Sequence, residues 1–215
     1  MGRIEQEKAA KGSQHWLQHL VETAPGKLDS AVGFGTLEWL SPLAGDDFAE
    51  YRDAAYLDRL GVELTTRPLD TFWPAGGPVW DGLAHASYGA SILIEAKSHV
   101  SEMSSNCEAS SPESRAMIEK AFAATKAAFD VDPDIDWCTD HYQYANRLAH
   151  AYLMKELNNV PTELVFVYFV GDSEMNGPAT RKEWEAAVME AQDRLGILGQ
   201  LPRYVRDVFI DVSAG

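Results

Sequence analysis

Hydrophobic residues in the first 60 positions recur at the spacing of amphipathic helices. Residues 4–22 carry one apolar stripe that stops before Pro25 and Gly26, which predicts a first helix. A second stripe predicts a helix that begins at residue 46 or 47 and ends at residue 60. We therefore expect residues 1–60 to form a helical N-terminal part.

After residue 60 the pattern changes between strand-like and helical stretches. Alternating or wholly apolar runs predict strands at residues 62–69, 79–86, 91–100, 164–170 and 205–212. Helical spacing predicts helices at residues 112–129, 142–157 and 180–195. This order predicts an α/β protein with a mixed central sheet flanked by helices. No shift in composition marks a boundary, so we expect one domain over residues 1–215, with its sheet core at residues 61–215.

Composition and charge indicate a soluble globular protein. The chain has 215 residues, of which 46% are hydrophobic and 24% charged, enough for one domain with a sizeable core. Two cysteines are too few for a disulfide framework, and we find neither a signal peptide nor a membrane-spanning stretch, so we expect a cytoplasmic protein with no membrane partner. The formal net charge of −15 works against non-specific binding to nucleic acid or to an anionic membrane.

Three ionisable residues stand at strand positions where a charge is costly unless it is paired or binds a metal. Glu95 and Lys97 are two residues apart on a predicted strand and therefore point to the same face. Asp81 precedes Glu95 at a distance suited to neighbouring strands of a hairpin. Two converging carboxylates would hold a hard cation such as Mg²⁺, and Lys97 would stabilise negative charge on a phosphate. His99 shares this predicted face and is a candidate for substrate contact, with a hydrogen-bonded structural histidine as the alternative.

The proposed metal site places a condition on the connection between the two strands. A loop of two or four residues would set Asp81 opposite Ala96, which points to the wrong face. A three-residue loop or a bulge sets Asp81 opposite Glu95 or Lys97 instead. We therefore predict an odd-length loop or a bulge between residues 82 and 93.

The motif at residues 78–81, followed by Glu-Ala-Lys at residues 95–97, resembles that of the PD-(D/E)xK nuclease superfamily. Its members include many restriction endonucleases and nucleases of recombination and repair. Pro78 does not directly precede Asp81 as in the literal motif, a drift that this superfamily tolerates. The chain is also similar to a group of uncharacterised bacterial restriction-endonuclease-like proteins with Trp-Asp, Glu-Ala-Lys and, at residues 142–147, Tyr-Gln-Tyr-Ala-Asn-Arg. The resemblance implies a restriction-endonuclease-like fold, here with an N-terminal helical extension.

The resemblance also implies roles for the three ionisable residues. Asp81 and Glu95 would be ligands of Mg²⁺ or Mn²⁺, and Lys97 would be the catalytic lysine. Family members often add an acid from the first helix, and Glu50 is the best match. The rivals of Glu50 for this role are Glu38 and Asp53.

Many family members place a glutamine on the helix that follows the catalytic hairpin. Gln143 fits this position, and Asn146 and Arg147 lie on nearly the same helix face. The resemblance therefore implies a catalytic role for Gln143 and contact with substrate for Asn146 and Arg147, whose planar guanidinium suits a phosphate. Capping or packing of the helix is the alternative for all three.

The leading hypothesis is a Mg²⁺-dependent nuclease that hydrolyses phosphodiester bonds of DNA. The net charge opposes DNA as a partner unless the chain forms a local basic groove or a partner protein brings the DNA. The groove would be assembled from Arg52, Lys97, Lys126 and Arg147. One alternative is a catalytically silent nuclease-fold interaction module in a defence or repair complex, and another is a metal-dependent hydrolase of a small phosphate compound. A homodimer and a complex with a partner protein both stay open.

Overall fold

The computed structural model describes residues 2–213 and contains two sheets. In chain order the strands are β1 (Arg3–Ile4), β2 (Leu37–Ser41), β3 (Glu50–Tyr51), β4 (Gly82–Ala86), β5 (Ser91–Lys97), β6 (Thr162–Val170) and β7 (Val205–Asp211). The main sheet has the order β2-β4-β5-β6-β7, and β1 pairs with β3 in a separate ribbon. The β2–β4 and β4–β5 pairs are antiparallel, whereas β5–β6 and β6–β7 are parallel. The predicted mixed sheet is therefore confirmed.

Helices cover both faces of the main sheet. In chain order they are α1 (Gly12–Thr23), α2 (Pro25–Val32), α3 (Ala54–Leu60), α4 (Pro112–Ala128), α5 (Tyr142–Tyr152) and α6 (Arg181–Arg194). The apolar residues of α1 and α2 pack on one sheet face, and those of the other four helices pack on the opposite face. None of the helices within residues 2–213 is long and apolar enough to cross a bilayer.

The central strand β5 explains how charged residues come to lie within one of these layers. Ile92 and Ile94 belong to the apolar cluster under α1 and α2, whereas Leu93 belongs to the cluster on the other face. Side chains two residues apart on a strand share a face. Glu95 and Lys97 therefore continue the Leu93 face and lie in the layer that contains α3 to α6.

The predicted helical character of residues 1–60 is only partly correct. α1 begins at Gly12, and the residues before it include β1, which pairs with β3. The predicted second helix is interrupted at Asp47 and Phe48, whose φ angles of +52° and +47° are incompatible with a right-handed helix. Only the part from Ala54 onward is helical, as α3.

The strand predicted at residues 62–69 is not formed. Leu64 is buried there, but the segment contains several polar residues and ends at Pro68, which lacks the N–H that a sheet ladder needs. The outer strand of the sheet is instead β2, where Leu37 pairs with Ala86 of β4. A strand of this length is specified by its partner as much as by its own sequence.

Candidate active site

The β4–β5 hairpin closes with a three-residue loop, residues 87–89, which confirms the predicted odd-length connection. The last loop residue is a glycine with φ +87°, a left-handed conformation that glycine adopts without steric penalty. The strand ladder ends where Gly82 pairs with Ile94. The next residues along this register, Asp81 and Glu95, therefore lie opposite each other.

Lys97 joins this pair from the same face of β5. Its Nζ donates to Glu95 Oε1 and, at 3.2 Å, to Gln143 Oε1 in the first turn of α5. Asp81 Oδ2 accepts the backbone N–H of Ala96 at 2.7 Å, and Asp81 Oδ1 accepts no hydrogen bond within residues 2–213. The fold thus brings together Asp81, Glu95, Lys97 and Gln143.

Arg147 on α5 supplies the second positive charge of the cluster. Its Nε donates to Glu95 Oε2 at 2.7 Å, and its terminal nitrogens donate to the Val79 carbonyl and to Asn146 Oδ1, each at 2.7 Å. The guanidinium also lies 5.0 Å from the centroid of the Trp80 ring. Arg147 and Asn146 are each only 4% exposed. Both residues also line the cavity described below, so the expected contact with substrate stays a prediction. Arg147 is at the same time the internal counter-ion of Glu95.

Glu50 approaches the cluster from β3 rather than from a helix, which corrects the expected placement. Its side chain is buried, with Oε2 accepting from Gln6 Nε2 at 2.9 Å and Oε1 accepting from Gln14 Nε2 at 3.0 Å. Burial raises the pKa of Glu50, and repulsion from the charge of Glu95 adds to this increase. Glu50 is therefore an electrostatic neighbour of the pair, although it does not line the cavity described below.

The charges in this cluster shift the pKa values of its members in opposite directions. Burial raises the pKa of Asp81 well above its ordinary value, and the charge of Glu95 raises it further. Burial also tends to raise the pKa of Glu95, but Arg147 and Lys97 outweigh it and the net shift is downward. Burial tends to lower the pKa of Lys97, but Glu95 and Asp81 outweigh it and the net shift is upward. At neutral pH Glu95 is thus ionised and Lys97 is protonated.

An open cavity of about 920 Å³ exposes the cluster to solvent. Asp81, Glu95 and Lys97 line it, together with Gln143. The walls are residues 73–79, residues 104–106 and 108–111, and the first residues of α4 and α5. α4 starts with Ser111 as its N-cap, which accepts the N–H of Ser114 at 3.0 Å, so this wall is fixed by local hydrogen bonding.

Several residues expected at this site lie elsewhere. β5 ends at Lys97, so the alternation of side chains along a strand, which placed His99 on the face of Glu95 and Lys97, no longer applies. The His99 ring instead pairs with Glu102 at 3.0 Å. Lys126 Nζ donates to the backbone carbonyls of Pro133 and Ile135. None of His99, Lys126 and Arg52 lines the cavity. The predicted basic groove is therefore not formed here.

The carboxylates of the cluster fit a divalent cation. Their oxygens are the donors that Mg²⁺ and Mn²⁺ prefer. Asp81 Oδ1 is available, and a cation beside it would relieve the repulsion among Asp81, Glu95 and Glu50 that the pKa shifts reflect. Within residues 2–213, no group of three or more His, Cys, Asp or Glu side chains is arranged to hold a metal ion. A cation bound here would thus have only Asp81 and Glu95 as its carboxylate donors at the cavity, and water or substrate would complete its coordination.

No family model, curated protein or solved structure matches the chain. The arrangement of the side chains is therefore the only indication of a function within the described residues.

Two residues that support the site from a distance, Gln6 and Gln14, were missed in the sequence, and Asp53 was considered only as a metal-binding acid. Gln6 and Gln14 hold Glu50 across 44 and 36 positions of the chain, and Asp53 binds the backbone of residues 76 and 77. None of these three residues belongs to a periodic pattern or a motif. Only the tertiary structure brings them to their partners.

Proposed function

We propose that the protein is a metal-dependent phosphodiesterase that acts on DNA and has a restriction-endonuclease-like core. The observation that supports the proposal most is that Asp81, Glu95 and Lys97 lie together at one cavity. The three-residue loop sets the β4–β5 strand register that brings them together. The mixed central sheet, with an antiparallel hairpin and then a parallel strand after intervening helices, is compatible with the restriction-endonuclease-like fold that the resemblance implies.

The residues of the cluster have separable roles in such a reaction. Asp81 and Glu95 would hold Mg²⁺ or Mn²⁺, which when bound supplies charge neutralisation at the scissile phosphate and lowers the pKa of a coordinated water. The Lys97 ammonium stabilises negative charge on the phosphate, and Gln143 fixes its position through a hydrogen bond of 3.2 Å. Arg147 keeps Glu95 ionised and correctly oriented.

The balance of charge limits how DNA would bind. The net charge is −15, and both cations at the cavity are already paired with Glu95. Without a bound metal the cavity repels phosphates, so we expect weak DNA binding that depends on divalent cation and falls steeply with salt. A partner protein or a second copy of the chain would supply the missing positive surface.

Cleavage assays with matched variants test the proposal. Purified protein is incubated with supercoiled plasmid, single-stranded DNA and a small phosphodiester, bis-p-nitrophenyl phosphate, in Mg²⁺, Mn²⁺ or EDTA. We expect metal-dependent cleavage that Asp81→Asn and Lys97→Met each reduce at least 100-fold. The control Glu185→Gln alters an exposed acid on α6 and should cleave normally. Equal cleavage by wild type and both site variants would contradict the proposed roles.

A catalytically silent interaction module is the second candidate, and the bonding of Glu95 favours it. Both Glu95 oxygens already bind cations of the protein, Lys97 at one and Arg147 at the other. A carboxylate satisfied in this way has less to gain from a metal. Calorimetric titration with Mn²⁺ separates the two candidates, because the nuclease requires uptake that Asp81→Asn abolishes and the silent module requires none.

A further inference from the structure

Two adjacent glycines of the loop that forms one wall of the cavity are held by a single carboxylate. Asp53 Oδ1 accepts the backbone N–H groups of Gly76 at 3.1 Å and of Gly77 at 2.9 Å, and Asp53 Oδ2 lies 3.3 Å from the Gly76 nitrogen. The loop at residues 73–79 lines the cavity and leads directly into Asp81. The position of this loop therefore sets both the width of the cavity and the approach to Asp81.

The carboxylate of Asp53 serves the loop rather than the helix that it precedes. Asp53 is the N-cap residue of α3, where an aspartate normally accepts a backbone N–H of the first helical turn. Its side chain makes no such capping bond. The backbone of Asp53 has φ +52° and ψ −143°, a region that is nearly restricted to glycine. A residue other than glycine persists in that region only when its surroundings hold it.

The loop on the other side of these hydrogen bonds is shaped to fit the carboxylate. Gly76 has φ +88°, and a Cβ on Gly77 would lie 3.3 Å from Asp53 Oδ1, 3.3 Å from Trp73 Cδ1 and 3.4 Å from His150 Nε2. Two adjacent glycines thus allow two N–H groups to converge on one oxygen. A backbone bridge from Trp80 N to the Tyr51 carbonyl, at 3.0 Å, fixes the same two segments closer to Asp81.

We propose that Asp53 is a positioning residue of the candidate active site, whose carboxylate holds the loop at residues 73–79 in place beside Asp81. This inference rests on the proposed function for its effect on catalysis. The family resemblance made Asp53 a rival of Glu50 as a metal-binding acid. The positioning role is different from that one. Asp53 does not line the cavity, so it acts through the loop and not by contact with substrate.

Three variants separate the contributions of Asp53. Asp53→Gly removes the carboxylate and relieves the backbone strain, so loss of the hydrogen bonds is not confused with unfolding. Asp53→Asn retains one acceptor oxygen and tolerates positive φ, and should rescue the wild-type behaviour. Asp58→Ala is the matched control, because Asp58 is an exposed aspartate on α3.

Hydrogen exchange of ¹⁵N-glycine-labelled protein measures the attachment of the loop without reference to catalysis. In Asp53→Gly we expect the Gly76 and Gly77 amides to exchange at least tenfold faster than in wild type. The Gly89 amide, which donates to the Ala86 carbonyl at 2.8 Å in the hairpin, is the internal reference and should not change. Unchanged exchange at Gly76 and Gly77 in Asp53→Gly would overturn the proposal.

Steady-state cleavage of bis-p-nitrophenyl phosphate tests the catalytic consequence. A displaced wall should raise KM at least fivefold in Asp53→Gly while kcat stays within threefold, and Asp53→Asn should restore KM. Loss of kcat in Asp53→Asn with wild-type exchange would mean that Asp53 acts as an acid, which also overturns the proposal. If wild type cleaves no substrate, the proposed function fails, whereas the exchange result still decides whether Asp53 holds the loop.

Discussion

Replacing Arg147 with methionine tests whether the buried ion pair with Glu95 holds the hairpin against α5. The substitution keeps an unbranched side chain of similar length but removes the donors to Glu95, to the Val79 carbonyl and to Asn146. Glu95 would remain 2% exposed with Lys97 as its only cation. Removing one partner of a buried pair costs about 3–5 kcal/mol, because the remaining charge is left without compensation.

The expected loss is large enough to measure by urea unfolding at pH 7. For a chain of this length it corresponds to a fall in Tm of about 6–20 °C. The double variant Arg147→Met/Glu95→Gln should be more stable than the sum of the single changes implies, with a coupling energy of about 1–3 kcal/mol. Arg115→Met is the control, because Arg115 pairs with Glu119 on the surface of α4 and such a pair contributes less than about 1 kcal/mol.

Two outcomes would refute this reasoning. A loss below about 1 kcal/mol in Arg147→Met would mean that water or Lys97 compensates Glu95 without the guanidinium. Additivity of the two single changes within about 0.5 kcal/mol would mean that Arg147 and Glu95 contribute independently, and the description of Arg147 as the counter-ion of Glu95 would be wrong.

Three further changes test other parts of the structure through urea or thermal unfolding. Burial raises the pKa of Asp207 to about 6, so the wild type loses stability as pH rises from about 4 through 6. Asp207→Asn should therefore stabilise the protein by about 1–3 kcal/mol at pH 7.5 and not at pH 3.5. An equal effect at both pH values would contradict the raised pKa of Asp207. Burial lowers the pKa of His150 to about 3, so the stability that the neutral imidazole contributes is present above about pH 6.5 and is lost as pH falls. From pH 6.5 to 4.5 the free energy of unfolding should fall by about 2–3 kcal/mol less in His150→Phe than in wild type. Equal falls in the two proteins would mean that His150 does not cause this loss of stability. A Cβ on Gly177 would lie 2.1 Å from the Ser98 carbonyl oxygen, so Gly177→Ala should destabilise the protein by about 1–3 kcal/mol. Gly45→Ala is the control, because a Cβ on Gly45 would have no atom within 4 Å, and it should change stability by less than about 0.5 kcal/mol.

The hairpin was the part of the fold that the sequence predicted best, because its geometry depends on few variables. Side chains alternate on a strand, so the spacing of Glu95 and Lys97 fixes their common face without knowledge of the rest of the protein. The only free variable was the parity of the loop, which decides whether Asp81 lies opposite Glu95 or opposite Ala96. The requirement that two carboxylates meet was enough to predict an odd-length loop or a bulge, and the structure has a three-residue loop.

The surroundings of the hairpin were predicted less well because distant segments determine them. Glu50 lies on a two-residue strand that is formed by pairing with β1 and by a backbone bridge to Trp80, and its carboxylate is held by Gln6 and Gln14. Residues 62–69 look strand-like locally but have no place in the sheet, where β2 takes the edge next to β4. A local pattern cannot decide such a competition, because the free energy comes from partners far along the chain.

The energetics of the buried cluster bear on whether it serves stability or chemistry. Glu95 and Arg147 are buried, and the Lys97 side chain is 13% exposed, on the face of β5 where Leu93 packs into an apolar cluster. Desolvation of such ions offsets most of their attraction, and apolar residues of similar volume at these positions would leave the fold equally stable or more stable by about 1–4 kcal/mol. A purely structural role therefore gives no energetic reason for three ionisable groups at this place. Their position at the edge of an open cavity, beside an Asp81 oxygen that accepts no hydrogen bond within residues 2–213, is the arrangement that the proposed metal-dependent phosphate chemistry would use.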